Sequence, residues 1–147
     1  MYKHLLVATD GSKLSAKAVA HAIALAQSAG GKLTAFYASP DYPAPMYAEG
    51  MITLPVTPKE YKAICAKQAD IVLNPILIKA EAAGLAFNSE HTITATPWEA
   101  ILTAARKNKC DAIVMASHGR RGVSALLLGS ETQKVLTHTK LPVIVIH

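Results

Sequence analysis

The chain of 147 residues has the length of one domain and is long enough to bury a substantial core. Hydrophobic residues make up 51% of it and charged residues only 17%, which predicts a soluble globular domain with some apolar surface left for self-association. The formal net charge of +5 favours anionic partners, but the basic residues are scattered and aromatic residues are only 5%, which argues against a platform for single-stranded nucleic acid.

The two cysteines and the start of the chain bear on its compartment. Cys65 and Cys110 lie far apart and form neither a CxxC motif nor a Cys/His cluster, so we expect reduced thiols and no metal site. The chain starts directly with a strand pattern instead of a targeting segment, and it contains no run of about 18 apolar residues. These features predict a cytoplasmic protein without a membrane span.

The first third of the chain alternates between strand and helix patterns. The apolar run 5–8 predicts a strand, and apolar residues at helical spacing from Leu14 to Ala29 predict a helix that stops at Gly30. Residues 32–38 form a second strand pattern. The proline-rich stretch 39–56 is predicted to be a long loop, because proline lacks a backbone N–H and interrupts regular structure.

Two stretches of the middle third have the pattern of a capping box with proline at the first helical position. The first is Thr57 to Glu60, which predicts a helix as far as Ala83 and Gly84, kinked or broken at Pro75. Residues 86–94 alternate in character and predict a third strand. The second capping box, residues 96–99, predicts a helix through about Lys107.

The last third is predicted to contain a fourth strand at 111–116, a final helix at 130–138 and a terminal strand at 141–146. Strict alternation of strands and helices predicts a parallel sheet with helices on both faces, because each connection between strands is a helix-sized right-handed crossover. No composition break marks a linker, so we expect one domain over residues 1–147. The fold class is therefore α/β, a doubly wound open sheet of five parallel strands.

Two glycine-bearing turns follow the first and fourth strands, at the carboxyl ends where ligands bind in such sheets. The first is Asp10-Gly11-Ser12, and the second runs from Ser117 to Gly129 and leads into the helix at Ser130. A helix start presents unpaired N–H groups and a positive dipole end, which suits a phosphate. A purely structural alternative also stands, in which Ser12 caps the following helix and His118 is a structural donor.

The chain resembles, over its whole length, the universal stress proteins of the nucleotide-binding type, from the opening strand and Ala8-Thr9-Asp10-Gly11-Ser12 to the closing strand 141–146. The ATP-binding members of this family carry glycine, two residues, glycine, nine residues, and then glycine followed by serine or threonine. Here the same spacing occurs as Ala116, two residues, Gly119, nine residues, and Gly129-Ser130, with alanine in place of the first glycine. A methyl group at that position is tolerated where φ is negative and obstructs binding where φ must be positive. The resemblance implies the strand order 3-2-1-4-5.

The resemblance also implies a nucleotide site. Asp10 would accept hydrogen bonds from ribose or base, and Ala38 would offer backbone groups to adenine. The helix start from Gly129 to Thr132 would hold phosphates and ribose, with the loop arginines as phosphate clamps. Glu131 stands where a carboxylate repels a triphosphate unless it points away or shares Mg²⁺. The full predicted set is Ala8, Thr9, Asp10, Ala38, Met115, Ala116, His118, Gly119, Arg120, Arg121, Gly129, Ser130, Glu131 and Thr132.

Three functions remain open at this stage. The first is an ATP-binding regulatory module of the stress response, with or without Mg²⁺, which acts as a homodimer through strand 141–146. The second is a nucleotide-free stress dimer, and the third is a slow ATPase or phosphotransferase. Binding is favoured over turnover, because Asp10 and Glu131 are the only acids near the motif, no P-loop lysine follows the glycines, and no catalytic triad is visible.

Overall fold

The structure is a computed structural model that describes residues 1–44, 46–48, 50–53, 56–119 and 127–147, with the backbone alone at 46–48 and 51–53. The predicted site residues Arg120 and Arg121 lie outside the described residues. The elements in chain order are β1 His4–Thr9, α1 Lys13–Ser28, β2 Lys32–Ser39, β3 Met46–Ala48, β4 Met51–Thr53, α2 Pro58–Ala82, β5 Ala86–Ile93, α3 Pro97–Lys107, β6 Ala112–Ala116, α4 Ser130–His138 and β7 Val143–Ile146.

Five parallel strands form the main sheet in the order β5-β2-β1-β6-β7. Counted along the sheet's own strands, this order is the expected 3-2-1-4-5, so the predicted fold class is confirmed. β1 lies at the centre, where Leu5 is in register with Leu33 of β2 and Ala112 of β6. β2 and β5 lie on one side of β1, and β6 and β7 lie on the other side, so the strand order reverses at β1. The carboxyl ends of β1 and β6 therefore face the crevice at which such sheets bind ligands.

Each face of the sheet has its own core, because side chains alternate along a strand. On β1, Leu5 and Val7 pack with α1 and α2, whereas Leu6 packs on the other face with residues of α3 and α4. Phe36 of β2 belongs to that second core and is almost completely buried. Full burial of one such side chain stabilises the fold by about 1.5–3 kcal/mol. These two cores hold the strands in place, including the carboxyl ends that line the crevice.

Three predictions about local structure are corrected. The stretch 39–56 is not a loop throughout, because β3 and β4 pair antiparallel across Gly50, whose φ of 75° suits glycine in a tight turn. Helix α2 does not break at Pro75 but runs unbroken to Ala82. The second capping box does not form, since the side chain of Thr96 makes no cap hydrogen bond.

The first predicted capping box is confirmed. Thr57 and Glu60 form the first capping box, in which the Thr57 hydroxyl accepts from the Glu60 N–H and the Glu60 carboxylate accepts from the Thr57 N–H. Both cysteines are buried free thiols, and burial raises the pKa of Cys110 to about 11. None of the helices in the described ranges has the length and apolar character that a bilayer span needs.

Candidate functional site

A crevice of about 840 Å³ opens at the carboxyl edge of the sheet, a volume within the usual range of small-molecule sites. Every predicted site residue that the structure describes lines it. These residues are Ala8, Thr9, Asp10, Ala38, Met115, Ala116, His118, Gly119, Gly129, Ser130, Glu131 and Thr132. Since β1 and β6 are neighbours in the sheet, the two glycine-bearing turns share this crevice, as the sequence predicts.

The turn after β1 starts helix α1 and also lines the crevice. One oxygen of the Asp10 carboxylate accepts from the Ser12 N–H at 2.9 Å, and the Ser12 hydroxyl caps α1 by accepting from the Ser15 N–H at 3.1 Å. The Asp10 side chain also lines the crevice. The structural role of this turn and the position of half-buried Asp10 in the crevice wall therefore coexist.

Two glycines in the opposite wall lie in close approach to their neighbours, Gly119 to the Asp10 side chain and Gly129 to His118. A Cβ atom at Gly119 would lie 2.6 Å from Oδ2 of Asp10, and one at Gly129 would lie 3.1 Å from the His118 Cα. The Gly129 N–H also donates to the Ser117 carbonyl at 2.7 Å, which closes the loop between β6 and α4. A side chain at Gly119 would therefore displace the Asp10 carboxylate, and one at Gly129 would need a small shift of the His118 backbone.

Helix α4 starts inside the crevice without a side-chain cap, because its N-cap residue is Gly129. The backbone N–H groups of a helix's first turn have no partners within the helix, and together with the dipole they attract anions. The hydroxyl of Thr132 is already used, since it donates to the Ala116 carbonyl at 3.0 Å and ties α4 to β6. The first-turn N–H groups and the Ser130 hydroxyl are therefore the groups suited to a phosphate.

Alanine in place of the first motif glycine introduces no strain. Ala116 is the last residue of β6, and Lys109 is the one non-glycine residue with positive φ in the described part of the chain. The methyl group of Ala116 belongs to the core on the α1 and α2 face. The condition under which alanine is tolerated, a negative φ, is therefore met.

Glu131 turns its carboxylate towards α3. Its Oε2 accepts from the Trp98 N–H at 2.9 Å, and its Oε1 lies 3.3 Å from the Lys134 ammonium. Trp98 is in the first turn of α3, so Glu131 supplies the cap that Thr96 does not. The negative charge near the predicted phosphate position is thus partly compensated by an N–H group and a lysine.

His118 is oriented by a hydroxyl, because its Nδ1 lies 3.2 Å from the Ser117 Oγ. Histidines that act as general bases are usually oriented by an acid.

In the described ranges no group of three or more His, Cys, Asp or Glu side chains is arranged to hold a metal ion.

Sequence reasoning missed the side of the crevice that the ends of β2 and β5 form. Ser39, Pro40, Asp41, Thr94 and Pro97 line this side. The Ser39 carbonyl accepts from the Thr94 N–H at 3.0 Å, which joins the two strand ends. The strand order itself contains the missing signal, because it places the carboxyl end of the third strand beside that of the second.

A histidine on β5 supports this side from below. The Nε2 of His91 lies 2.7 Å from the Ser39 Oγ, and its ring stacks on Tyr37 with 5.7 Å between centroids. Burial lowers the pKa of His91, an effect that the charge of Asp70 opposes. The neutral imidazole is therefore favoured, and it fixes the position of the Ser39 side chain.

Comparison with known proteins identifies the family. A family model described as "Universal stress protein family" matches residues 1–147. The chain belongs to the universal stress protein family. A universal stress protein of Thermus aquaticus is 32% identical over 99% of this chain and 99% of its own length. A universal stress protein of Methanocaldococcus jannaschii is 30% identical over 99% of this chain and 82% of its own length.

Solved structures of universal stress proteins share the fold. UspA from Lactobacillus plantarum aligns with a TM-score of 0.81 at 23% identity, covering 99% of this chain and 98% of that one. A universal stress protein in complex with cAMP aligns with a TM-score of 0.69 at 26% identity, covering 99% and 97%. A universal stress protein from Archaeoglobus fulgidus in complex with dAMP aligns with a TM-score of 0.67 at 18% identity, covering 99% and 98%.

Proposed function

We propose that this universal stress protein binds an adenine nucleotide, ATP, at the carboxyl edge of its sheet, and that occupancy regulates its role in the stress response. The observation that carries the proposal is the pairing of two features in one crevice: the uncapped start of α4 at Gly129 and the carboxylate of Asp10 on the facing wall. The first feature suits phosphates and the second suits ribose or base hydroxyl and amino groups.

The ligand's two ends follow from these positions. The adenosine lies towards Asp10 and the backbone of Ala38, and the phosphates lie against the first turn of α4 at Ser130. The cAMP and dAMP complexes of universal stress proteins support an adenine ligand. Mg²⁺ enters with the phosphates of ATP. Because His118 is oriented by the Ser117 hydroxyl, and no acid among the described residues bonds to its ring, we propose binding as the function and not turnover.

Titration calorimetry with MgATP tests the proposal. We expect saturable binding at one site per chain, weakened at least tenfold by Asp10→Ala, which corresponds to a loss of about 1.4 kcal/mol or more. Glu81→Ala is the matched control, because it removes a carboxylate from the exposed face of α2 and should leave the affinity unchanged.

Two further observations bear on the same proposal. Mass spectrometry of protein purified without added nucleotide identifies any adenine nucleotide that is retained. The absence of both heat and thermal stabilisation at millimolar ATP would contradict nucleotide binding and leave the nucleotide-free alternative.

We also propose a cytoplasmic homodimer joined through residues 141–146. Strand β7 lies at the sheet edge and pairs on one side with β6, and its residues Val143–Ile146 are apolar and half-buried. An edge strand without charge presents its outer backbone groups to a partner, and a two-fold axis satisfies both copies together.

Val145→Lys tests this interface, since it places a charge in the middle of the edge strand. Sedimentation equilibrium is expected to give at least twice the 15.6 kDa chain mass for the wild type, and Val145→Lys is expected to halve the mass at the same concentration. A wild-type monomer at tens of micromolar, or a mass that this substitution leaves unaltered, would count against the β7 interface.

A further inference from the structure

The outward face of α2 carries an apolar stripe that neither core uses. Ile64, Ile71 and Ile78 are 53%, 59% and 65% exposed, although isoleucine is among the residue types most often buried. Six large hydrophobic side chains are exposed in the described part of the chain, and half of them are these three isoleucines. The exposure is therefore concentrated on one helix instead of being scattered over the surface.

The three isoleucines lie in one line. They are spaced seven residues apart, and seven residues bring an α-helix back to within about 20° of the same direction. The stripe is about 21 Å long at 1.5 Å per residue. The opposite side of α2 is the one that packs in the core, through residues that include Ala69 and Leu73. A seven-residue apolar repeat is the spacing with which two helices pack side by side.

The stripe is symmetric about its central residue. If two copies of α2 lie antiparallel around a two-fold axis at Ile71, each Ile71 meets the partner's Ile71 and each Ile64 meets the partner's Ile78. The same surface then serves both copies, and all three isoleucines of each copy are covered.

The charges along the stripe favour the antiparallel direction. Lys67 and Glu81 are exposed, follow Ile64 and Ile78 by three residues each, and so lie on the same flank. Side chains of a helix lean towards its N-terminus, so the antiparallel arrangement brings Lys67 towards the partner's Glu81, twice by symmetry. In a parallel pair Lys67 would instead face the partner's Lys67 and Glu81 the partner's Glu81, so like charges would meet. Neither residue forms an ion pair with another described residue, which leaves both available.

We propose that α2 is a self-association surface that binds a second copy of this chain, antiparallel, with Ile71 on the two-fold axis. This surface is separate from β7, which lies at the other edge of the sheet from β5, the strand against which α2 packs. A chain with two such symmetric surfaces forms a closed tetramer, and the loss of either surface leaves a dimer. The proposal does not depend on nucleotide binding.

Disulfide trapping under mild oxidation tests the geometry. Ile71→Cys should form a covalent dimer, because a residue on the axis meets its own copy. Ile64→Cys alone should not, whereas a mixture of Ile64→Cys and Ile78→Cys chains should. The wild type is the background control, since its Cys65 and Cys110 are buried. Trapping of Ile64→Cys with itself, or no trapping at Ile71→Cys, would overturn the antiparallel pair.

Sedimentation equilibrium tests the energetics. Ile71→Lys should halve the mass at a given concentration, whereas Ala66→Lys, exposed on the same helix but off the stripe, should not. Lys67→Glu should weaken association at least fivefold, and adding Glu81→Lys to it should restore the association. An Ile71→Lys mass equal to that of the wild type would overturn the proposal. In Val145→Lys chains the β7 interface is removed, so any remaining association comes from the α2 surface. The two interfaces are thus tested separately.

Discussion

The two edges of the same sheet are built in opposite ways. At the amino edge, the Asp111 carboxylate accepts from the backbone N–H groups of Lys3 at 2.7 Å and His4 at 3.2 Å, and the His4 ring lies 2.8 Å from the Thr34 hydroxyl. At the carboxyl edge, a crevice of about 840 Å³ is bounded by glycine-bearing turns. One edge satisfies its backbone groups with side chains, and the other leaves a helix start uncapped.

The same contrast occurs among the helix starts: a capping side chain stabilises a helix, whereas a start without one leaves N–H groups that can bind an anion. Helices α1 and α2 start with the capping residues Ser12 and Thr57, whereas α4 starts at Gly129. An N-cap side chain occupies the same N–H groups that an anion would use. Substitutions at the amino edge should therefore change stability without changing binding, whereas substitutions that narrow the crevice beside the uncapped start of α4 should mainly change binding.

The largest effect is expected from Gly119→Val. Its Cβ would lie 2.6 Å from the Asp10 carboxylate, so the walls of the crevice must separate or the carboxylate must turn. We expect ATP affinity in titration calorimetry to fall at least about 100-fold, which corresponds to about 2.7 kcal/mol. Gly119→Ala should give a smaller loss in the same direction. Retained affinity in Gly119→Val would break the link between this close approach and binding.

Asp111→Ala should have the next largest effect, and at the opposite edge. It removes the acceptor of two backbone N–H groups, and hydrogen bonds to a charged group contribute about 1.5–3 kcal/mol each where they are buried. Because this edge is partly exposed, we expect the free energy of unfolding in urea to fall by about 2 kcal/mol. ATP affinity should stay unchanged. A tenfold weaker affinity in this variant would show that the two edges are not independent.

The smallest expected effect is on the pH dependence of stability. Each edge contains a histidine whose pKa is lowered mainly by burial, His4 at the amino edge and His91 below the crevice. The folded protein takes up a proton on these rings less readily than the unfolded chain, whose histidine pKa is near 6.5. Their contribution to stability is complete above pH 6.5 and is lost as the pH falls through the lower folded pKa.

Urea unfolding at a series of pH values checks this expectation. His4→Gln and His91→Gln should each flatten the decline of stability below pH 6.5, and the double variant should flatten it further. Glutamine keeps a hydrogen-bonding group at each position, so the comparison isolates the charge. An unaltered pH profile in the double variant would show that neither ring contributes.

The alternation of strands and helices was predictable from the sequence because it depends on local periodicity and on glycines and prolines at element ends. The last helix, for example, runs from Ser130 to His138 as predicted. The hairpin of β3 and β4 was not, because each strand has only three residues and stands in a stretch where prolines dominate the pattern. Short strands carry little periodicity, and their pairing is set by the turn.

The candidate site was predictable only where a local motif reports it. The turn at Asp10 and the glycine spacing up to Gly129 are local, and the structure brings both to one crevice. The contribution of Ser39 and Thr94 depends on which strands are neighbours. The partner of Glu131 could not be inferred at all, because its contact with the Trp98 N–H joins residues 33 positions apart.

That contact also gives the molecule an optical property. Trp98 is the only tryptophan of the chain, and its ring lies 4.5 Å, centroid to centroid, from the ring of His138 at the far end of α4. Its backbone N–H is held by Glu131 at the near end of α4, which lines the crevice. The two ends of α4 thus contact the same residue, Glu131 through the backbone of Trp98 and His138 through its indole, so a displacement of this helix changes the indole's surroundings. The natural emission of the chain can follow events at the crevice without an attached dye.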